Sequence, residues 1–296
     1  MTKRTRATNE PASIHTRTGR EGAVVNAARE PVARALAEDL AGYGDLTGRV
    51  VAGDGRARIV ARGAGVLSGT AVVREVAAQV DERLEVTFLL KDGDRFGAGE
   101  MLGGIAGPLA GLLAMERTAL NFLGRLCGVA SMTAAFVAAT AGTGARIAAT
   151  RKTTPGLRAL EKEAVEHAGG LPHRFGLFDA ALVKDNHIRA AGSLTAAVAA
   201  VRERLGHVHV IEVETESFAQ VQEALDCCAA VIMLDNMDLE QVRAAVRLVA
   251  GRAVIEVSGG VTLDRVRDLA EAGVDVISVG ALTTAAPWVD IGLDMD

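Results

Sequence analysis

Two tracts of the chain concentrate reactive side chains: Thr150-Arg151-Lys152-Thr153-Thr154-Pro155-Gly156 and Lys184-Asp185-Asn186-His187. Each follows a short apolar run, and four later runs deliver Glu212 with Glu214, Asp235-Asn236, Ser258-Gly259-Gly260 and Gly280-Ala281. Arg151, Lys152, Arg174 and Lys184, with Arg158 as an addition, form a cationic set suited to a multiply anionic ligand. A guanidinium grips carboxylate or phosphate through two parallel N–H bonds. Only five of the 32 basic residues are lysines, so a lysine closing an apolar run invites a reason specific to lysine. Glu214 and Asp235 suit a divalent cation or ribose hydroxyls, or serve as counter-ions to the lysines. Ser258-Gly259-Gly260 and Gly280 offer backbone N–H groups to a phosphate. His173, beside Arg174, suits a carboxylate, whereas His187 suits a helix cap as well as catalysis.

These residues need a scaffold that gathers strand ends. Apolar positions recur at helical spacing over Pro31–Leu40 and stop at Gly42 and Gly44. Strand-like runs at Ala57–Ala61 and Leu84–Leu90 flank a helical stretch, Thr70–Val80. A turn follows at Lys91–Asp94 and a helix from Leu112 to about Ala141. This first part reads as a compact α+β domain. Beyond it, Val- and Ile-rich runs at Arg146–Ala149, Ala181–Val183, Val208–Val213, Ala230–Leu234, Ala253–Val257 and Val274–Val279 alternate with helical stretches. Those stretches are Leu157–His167, Ser193–Leu205, Ser217–Leu225, Leu239–Val249 and Leu263–Ala272. The later strands return about every 22 residues, the pitch of a βα unit. Polar residues at nearly every strand end favour a (β/α) barrel, in which those ends converge on one mouth.

The chain of 296 residues is 49 % hydrophobic and carries a net charge of -5, with six basic residues in the first thirty. It has the apolar content for a substantial core and no basic patch for nucleic acid. Residues 1–24 are polar, without apolar periodicity, and read as a disordered tail. Cys127, Cys227 and Cys228 form neither a metal-ligand spacing nor a disulfide framework. No signal-peptide core or uninterrupted apolar span is found, so no membrane is expected and a cytoplasmic location is.

Several segments, in order, resemble the type II phosphoribosyltransferases, and among them the quinolinate phosphoribosyltransferases. They are ALAEDL and GYGDLT, ERTALNFLGRLCGVAS, TRKTTPGLRALEKEAV, HRFGLFDAALVKDNHI, IEVETES, VIMLDNM, VSGGV and VDVISVGALTTAAPWVDIGLDM. The resemblance spans about residues 31–296 and implies an N-terminal α/β sandwich domain, 25–128, rejoined by 284–296, with an incomplete α/β barrel over 129–283. It implies transfer of phosphoribose from phosphoribosyl pyrophosphate to quinolinate with loss of CO2, the cofactor Mg2+, and a homodimer or higher even oligomer with shared active sites. Carried over position by position, Arg151, His173, Arg174 and Lys184, with Arg117 of the partner subunit, would hold the two carboxylates of quinolinate. Lys152, Glu214 and Asp235 would serve ribose, pyrophosphate and Mg2+, and Ser258, Gly259, Gly260 and Gly280 the 5-phosphate. Lys152, Lys184, Glu214 and Asp235 are the residues expected to be catalytic.

Two departures stand out. Where the family commonly reads GGGxNHR, this chain has GGLPHR, one residue shorter and with Pro172, which supplies no N–H. Thr284 stands where a histidine often follows GALT. Three other readings compete: a paralogue using a different pyridine or azole carboxylate, a Schiff-base aldolase built on Lys184, and a metabolite sensor on the same fold.

Overall fold

The computed structural model describes residues 17–206 and 209–296. It opens on α1 (Arg17–Leu40), whose second half is the expected helix. Ala28, Val32 and Leu36 are buried at four-residue intervals, one stripe facing the core. The helix also runs back through residues 17–24, which were expected in the tail; residues 1–16 lie outside the described residues. That stretch has no apolar period to announce it.

The first domain continues as β1 (Asp54–Ala61), β2 (Gly65–Val66), α2 (Thr70–Val80), β3 (Glu85–Phe88), β4 (Arg95–Phe96) and β5 (Met101–Pro108). Strand β5 was not expected, because MLGGIAGP carries three glycines and little alternation. One of them is required: a Cβ on Gly103 would meet the Thr87 carbonyl and lie 3.0 Å from the Phe88 Cα. The chain end supplies a further strand, Ile291–Met295, antiparallel to β1, so the sheet runs from that strand through β1 and β5 to β3. Strands β2 and β4 form a separate antiparallel ribbon.

Helix α3 (Leu109–Ala139) joins the two halves. Its length and composition would suffice to cross a membrane, but most of it is buried against other elements, as in a core helix. It packs on α1, α2 and both sheets. Gly128 is needed where the chain end crosses it, since a Cβ there would run into the Pro287 carbonyl.

The barrel half then runs β6 (Arg146–Ala148), α4 (Arg158–His167), β7 (Ala181–Val183), α5 (Asp185–Ala191), α6 (Leu194–Leu205), β8 (Ile211–Thr215) and α7 (Phe218–Asp226). It closes with β9 (Val231–Asp235), α8 (Leu239–Val249), β10 (Val254–Ser258), α9 (Leu263–Glu271), β11 (Val276–Ser278), α10 (Ala281–Thr284) and β12 (Ile291–Met295). Strand β8 is shifted from the expected Val208–Val213, of which residue 208 lies outside the described residues. Ser193, Ser217 and Asp238 start α6, α7 and α8 by accepting from the main-chain N–H groups of Ala196, Gln220 and Gln241.

The six barrel strands are parallel in the order β6-β11-β10-β9-β8-β7. No β6–β7 ladder closes the ring among the described residues. Instead Leu171 lies beside β6, accepting from Ala149 N (2.9 Å) and donating to the Ile147 carbonyl (2.8 Å). Register and strand alternation put Glu212, Glu214, Met233, Asp235, Glu256, Ser258 and Ser278 on one face. Val213, Ile232, Leu234, Ile255, Val257 and Ile277 lie buried on the other, under the helices.

Candidate active site

The loop after β6 is built from Thr150 to Leu157 and held in several places. Thr150 Oγ1 accepts from Lys152 N (3.0 Å), and Thr283 Oγ1 donates to the Lys152 carbonyl (2.6 Å). Arg158, a candidate for the cationic set, instead clasps two loops. Its Nε donates to Thr153 Oγ1 (2.9 Å), and its terminal nitrogens to the carbonyls of Phe175 (3.2 Å) and Arg151 (3.4 Å). Beneath them lies a group that sequence reasoning passed over. Fully buried Glu161 accepts from Thr154 N (2.9 Å), Thr154 Oγ1 (2.7 Å) and Arg125 (2.7 and 3.1 Å). Both charges sit on helices and read in the sequence as ordinary helix-surface residues.

Arg151 carries the sharpest sign of a ligand: its Nε is buried with no hydrogen-bond acceptor among the described residues. A buried unpartnered N–H costs about 1–3 kcal/mol, a cost that an anionic ligand would remove. Arg174 is half-buried and spends one terminal nitrogen on the Ala180 carbonyl (3.3 Å). Burial, and then the neighbouring Arg151, lower its pKa from the ordinary arginine value. Two guanidiniums repelling one another at the same mouth are the electrostatic complement of a ligand with more than one negative charge.

Lys184, at the end of β7, forms an ion pair with Glu214, on β8. The counter-ion reading of Glu214 is therefore realised in this geometry. It also argues against a Schiff-base nucleophile, which needs a desolvated neutral amine rather than a paired ammonium. Asp235, at the end of the adjacent strand β9, accepts from Asn236 Nδ2 (2.8 Å). His187 caps α5: its Nδ1 accepts from Lys184 N (2.9 Å), which is the helix-cap role.

His173 departs from expectation. Its backbone sits at φ 55°, in the left-handed region, and its ring turns into the barrel interior. Nδ1 accepts from Arg174 N (2.7 Å), while Nε2 faces Glu256 Oε1 (3.1 Å) and Glu212 Oε2 (3.7 Å). Neither ring nitrogen is left for a ligand, so the geometry does not support the expected contact to a substrate carboxylate. Burial, the largest single influence, lowers the ring's pKa, but hydrogen bonds to Glu212 and Glu256 outweigh it and raise it to about 9. An imidazolium would nevertheless need its Nδ1 hydrogen where the Arg174 amide hydrogen already points. The contact from Arg174 N takes Nδ1 as its acceptor, the geometry of a ring that carries its proton on Nε2, and burial holds Glu212 above the usual carboxylate range. The ligand atoms of His173, Glu212 and Glu256 lie within 4.8 Å of one another, near enough to hold a metal ion. The Nε2 proton would have to leave first.

The glycine strand ends are closely packed against neighbouring residues of the mouth. Gly259 has φ 90°, and a Cβ on it would lie 2.9 Å from the Asn236 main-chain nitrogen. Gly280 has an ordinary φ of -66°, but a Cβ would come to 3.1 Å from Lys152 Cδ. The two should therefore respond differently. Gly259→Ala is expected to lower stability by roughly 1–2 kcal/mol through left-handed strain, seen as an earlier thermal melt. Gly280→Ala should melt like the wild type but lose activity, because the added methyl displaces Lys152; equal melts for the two variants would contradict this. Thr284, the other departure at this end, already donates its hydroxyl to the Gly280 carbonyl (3.1 Å).

Arg117 is exposed on α3 and makes no hydrogen bond or ion pair to the mouth residues among the described residues. It lines a groove of about 210 Å³ with Ala35, Glu38, Asp39, Leu157 and Trp288. Within one chain, then, Arg151, Lys152, Arg174, Lys184, Glu214, Asp235 and the glycine turns share the strand-end side of the barrel, while Arg117 stands apart.

Comparison with known proteins follows the same division. Residues 129–294 match the family described as quinolinate phosphoribosyl transferase, C-terminal domain, and residues 45–127 its N-terminal domain. A probable nicotinate-nucleotide pyrophosphorylase [carboxylating] from Bacillus subtilis is 42 % identical over 87 % of this chain and 90 % of its own length. The nicotinate-nucleotide pyrophosphorylase [carboxylating] of Mycobacterium leprae is 41 % identical over 91 % of this chain and 98 % of its own. Among solved structures, the nicotinate-nucleotide pyrophosphorylase from Francisella tularensis superposes with a TM-score of 0.89 at 35 % identity. It covers 92 % of this chain and 97 % of that one.

Proposed function

Because the chain belongs to the quinolinate phosphoribosyltransferase family, we propose that it transfers phosphoribose from phosphoribosyl pyrophosphate to quinolinate, releasing pyrophosphate and CO2 and forming nicotinate mononucleotide for NAD biosynthesis. The observation that carries the reading is the buried Arg151 Nε without a protein acceptor, beside Arg174 and Lys184, at a mouth that calls for a dianionic ligand.

Arg151, Arg174 and Lys184 orient the two carboxylates so that the pyridine nitrogen faces the ribose carbon; Arg117 of the partner subunit completes the grip. The main-chain N–H groups at Ser258, Gly259, Gly260 and Gly280 hold the 5-phosphate. Lys152, whose stem lies over Gly280, reaches the pyrophosphate and stabilises its departure. As the bond from ribose to pyrophosphate breaks, the pyridine lone pair forms the new C–N bond. When the adjacent carboxylate departs as CO2, its bonding electron pair stays on the ring carbon, stabilised by the neighbouring cationic nitrogen, until that carbon takes up a proton from water. Charge placement, rather than a covalent enzyme intermediate, lowers the barrier.

Glu214 and Asp235, oxygen donors at the ends of adjacent strands, fit a hard divalent cation that keeps several waters and takes its remaining ligands from phosphates. When bound, Mg2+ would neutralise charge on the pyrophosphate. Engaging Glu214 would release Lys184 from its ion pair and free the ammonium for quinolinate. We place the enzyme in the cytoplasm, as its three free thiols suggest, and its working form as a homodimer or higher even oligomer without nucleic-acid or membrane partners.

The deciding experiment is a product assay with phosphoribosyl pyrophosphate, Mg2+ and a panel of aromatic carboxylates. Nicotinate mononucleotide and CO2 should form from quinolinate. Turnover of a monocarboxylate with no CO2 from quinolinate would move the chain to a paralogous substrate. Arg174→Ala should raise the quinolinate KM about thirtyfold, the loss of one charge-assisted pair worth roughly 2 kcal/mol, and leave the KM for phosphoribosyl pyrophosphate within about twofold. An equal rise in both constants would refute the assignment.

A further inference from the structure

The segment that carries Arg174 is anchored at almost every residue. Gly170 N donates to the Val165 carbonyl (2.9 Å), Leu171 bridges to β6, and Phe175 N donates to Asp179 Oδ2 (2.6 Å). Between these points the Pro172 carbonyl accepts from Lys162 Nζ. Lys162 is 2 % exposed, the largest of the fully buried side chains. Burying a lysine is costly, and burial lowers its pKa to about 8. That a cation is spent on one carbonyl marks the loop as something the fold must hold in place.

His173 is the next anchor. Glu256 Oε1, which holds its Nε2, also accepts from Ser278 Oγ on the neighbouring strand β11 (2.5 Å). Glu212 and Glu256 stand on β8 and β10, the strands on either side of β9, so the ring bridges the barrel interior. The left-handed backbone at His173 costs about 1–2 kcal/mol for a residue with a Cβ. The ring's inward contacts offset that cost, and the Arg174 N–H that donates to Nδ1 fixes where the next side chain starts.

We propose that His173 touches no substrate and acts through Arg174: Glu256, backed by Ser278, pins the ring in the barrel so that Arg174 is presented to the substrate carboxylate. Glu256 and His173 are thus positioning residues, and Arg174 is the ligand. This inference rests on the dicarboxylate reading of the mouth, but one of its tests does not.

The kinetic test is a double-mutant cycle with Arg174. His173→Ala and Glu256→Ala should each raise the quinolinate KM about tenfold with the KM for phosphoribosyl pyrophosphate within about twofold. In an Arg174→Ala background, neither should add more than about twofold to the quinolinate KM. Thermal melts of each variant accompany the kinetics, and Glu256→Gln, which can still accept from Nε2–H, should restore most of the loss. If His173→Ala exerts its full factor without Arg174, the ring contacts substrate and the proposal falls. The second test reads ring nitrogen NMR shifts of His173 in the wild-type protein, assigned by loss of the signal in His173→Gln. A protonated Nε2 and bare Nδ1, unmoved by saturating quinolinate and altered in Glu256→Gln, are expected. A ring protonated at both nitrogens, or one that shifts on quinolinate addition, overturns the proposal. A wild-type protein that releases no CO2 from quinolinate would sink the substrate assignment, and the ring's tautomer and its dependence on Glu256 would still decide the positioning role.

Discussion

Mixing Arg117→Ala with Lys184→Ala subunits, each inactive alone, should restore roughly a quarter of wild-type activity after reversible dissociation, the yield of random two-fold pairing. Half the dimers would be mixed, and each would carry one intact site. The expectation rests on where α3 leaves Arg117: exposed, paired with no carboxylate among the described residues, and in a groove shared with Leu157. Leu157 ends the loop that carries Arg151 and Lys152, so the groove adjoins that loop from outside. A guanidinium there serves the mouth of a second copy better than its own, and a two-fold axis delivers one to each site. The single variants should each lose at least about a hundredfold in kcat/KM, the loss expected from the charge-assisted carboxylate contact proposed for each residue. If subunit exchange is verified by a tagged mixture and activity stays at the level of the single variants, Arg117 does not act across the interface.

The barrel was legible because its strands are short, continuous and rich in Val and Ile, and because polar residues mark where they end. Lys184, Asp235 and Ser258 could be placed at one mouth by that logic alone, before any distance was known. Strand β5 was not, since glycines chosen for close backbone approach erase the alternation that signals a strand. Helix α5 was hidden for a different reason: seven residues give too few turns for a period, and its start is set by a His187 ring rather than a serine or aspartate. At the site, residue type gathered the cations at one mouth, but the contacts that His173, Arg158 and Glu214 make within the chain could not be read from it. Each has a side chain able to serve either a ligand or the protein, and only geometry shows which contact is already taken. Glu161 and Lys162 stood adjacent on α4 with no sign in the sequence that both are buried. Helical periodicity speaks of apolar faces, and a charge on such a face is read as surface until its partner is seen.

Glu161→Ala is expected to be the most destabilising of the substitutions considered, costing about 3–5 kcal/mol, the price of breaking a buried ion pair on one side. The carboxylate is fully buried and accepts four hydrogen bonds, two from Arg125 and two from Thr154. Removing it strands the Arg125 guanidinium, whose side chain is 14 % exposed, with two main-chain carbonyls, Thr283 and Ala286, as its remaining acceptors. It also frees Thr154, and with it the loop that aligns Arg151 and Lys152 between β6 and α4. The melting temperature should fall by roughly 10 °C or more for a chain of this size, and the surviving folded protein should show weakened binding of both substrates. Glu161→Gln keeps an acceptor for Thr154 but not the charge, so it should fall between the two. A melt within about 1 kcal/mol of the wild type in Glu161→Ala would mean that Arg125 finds another counter-charge. The loop would then be held by its contacts to Thr283 and Arg158 alone.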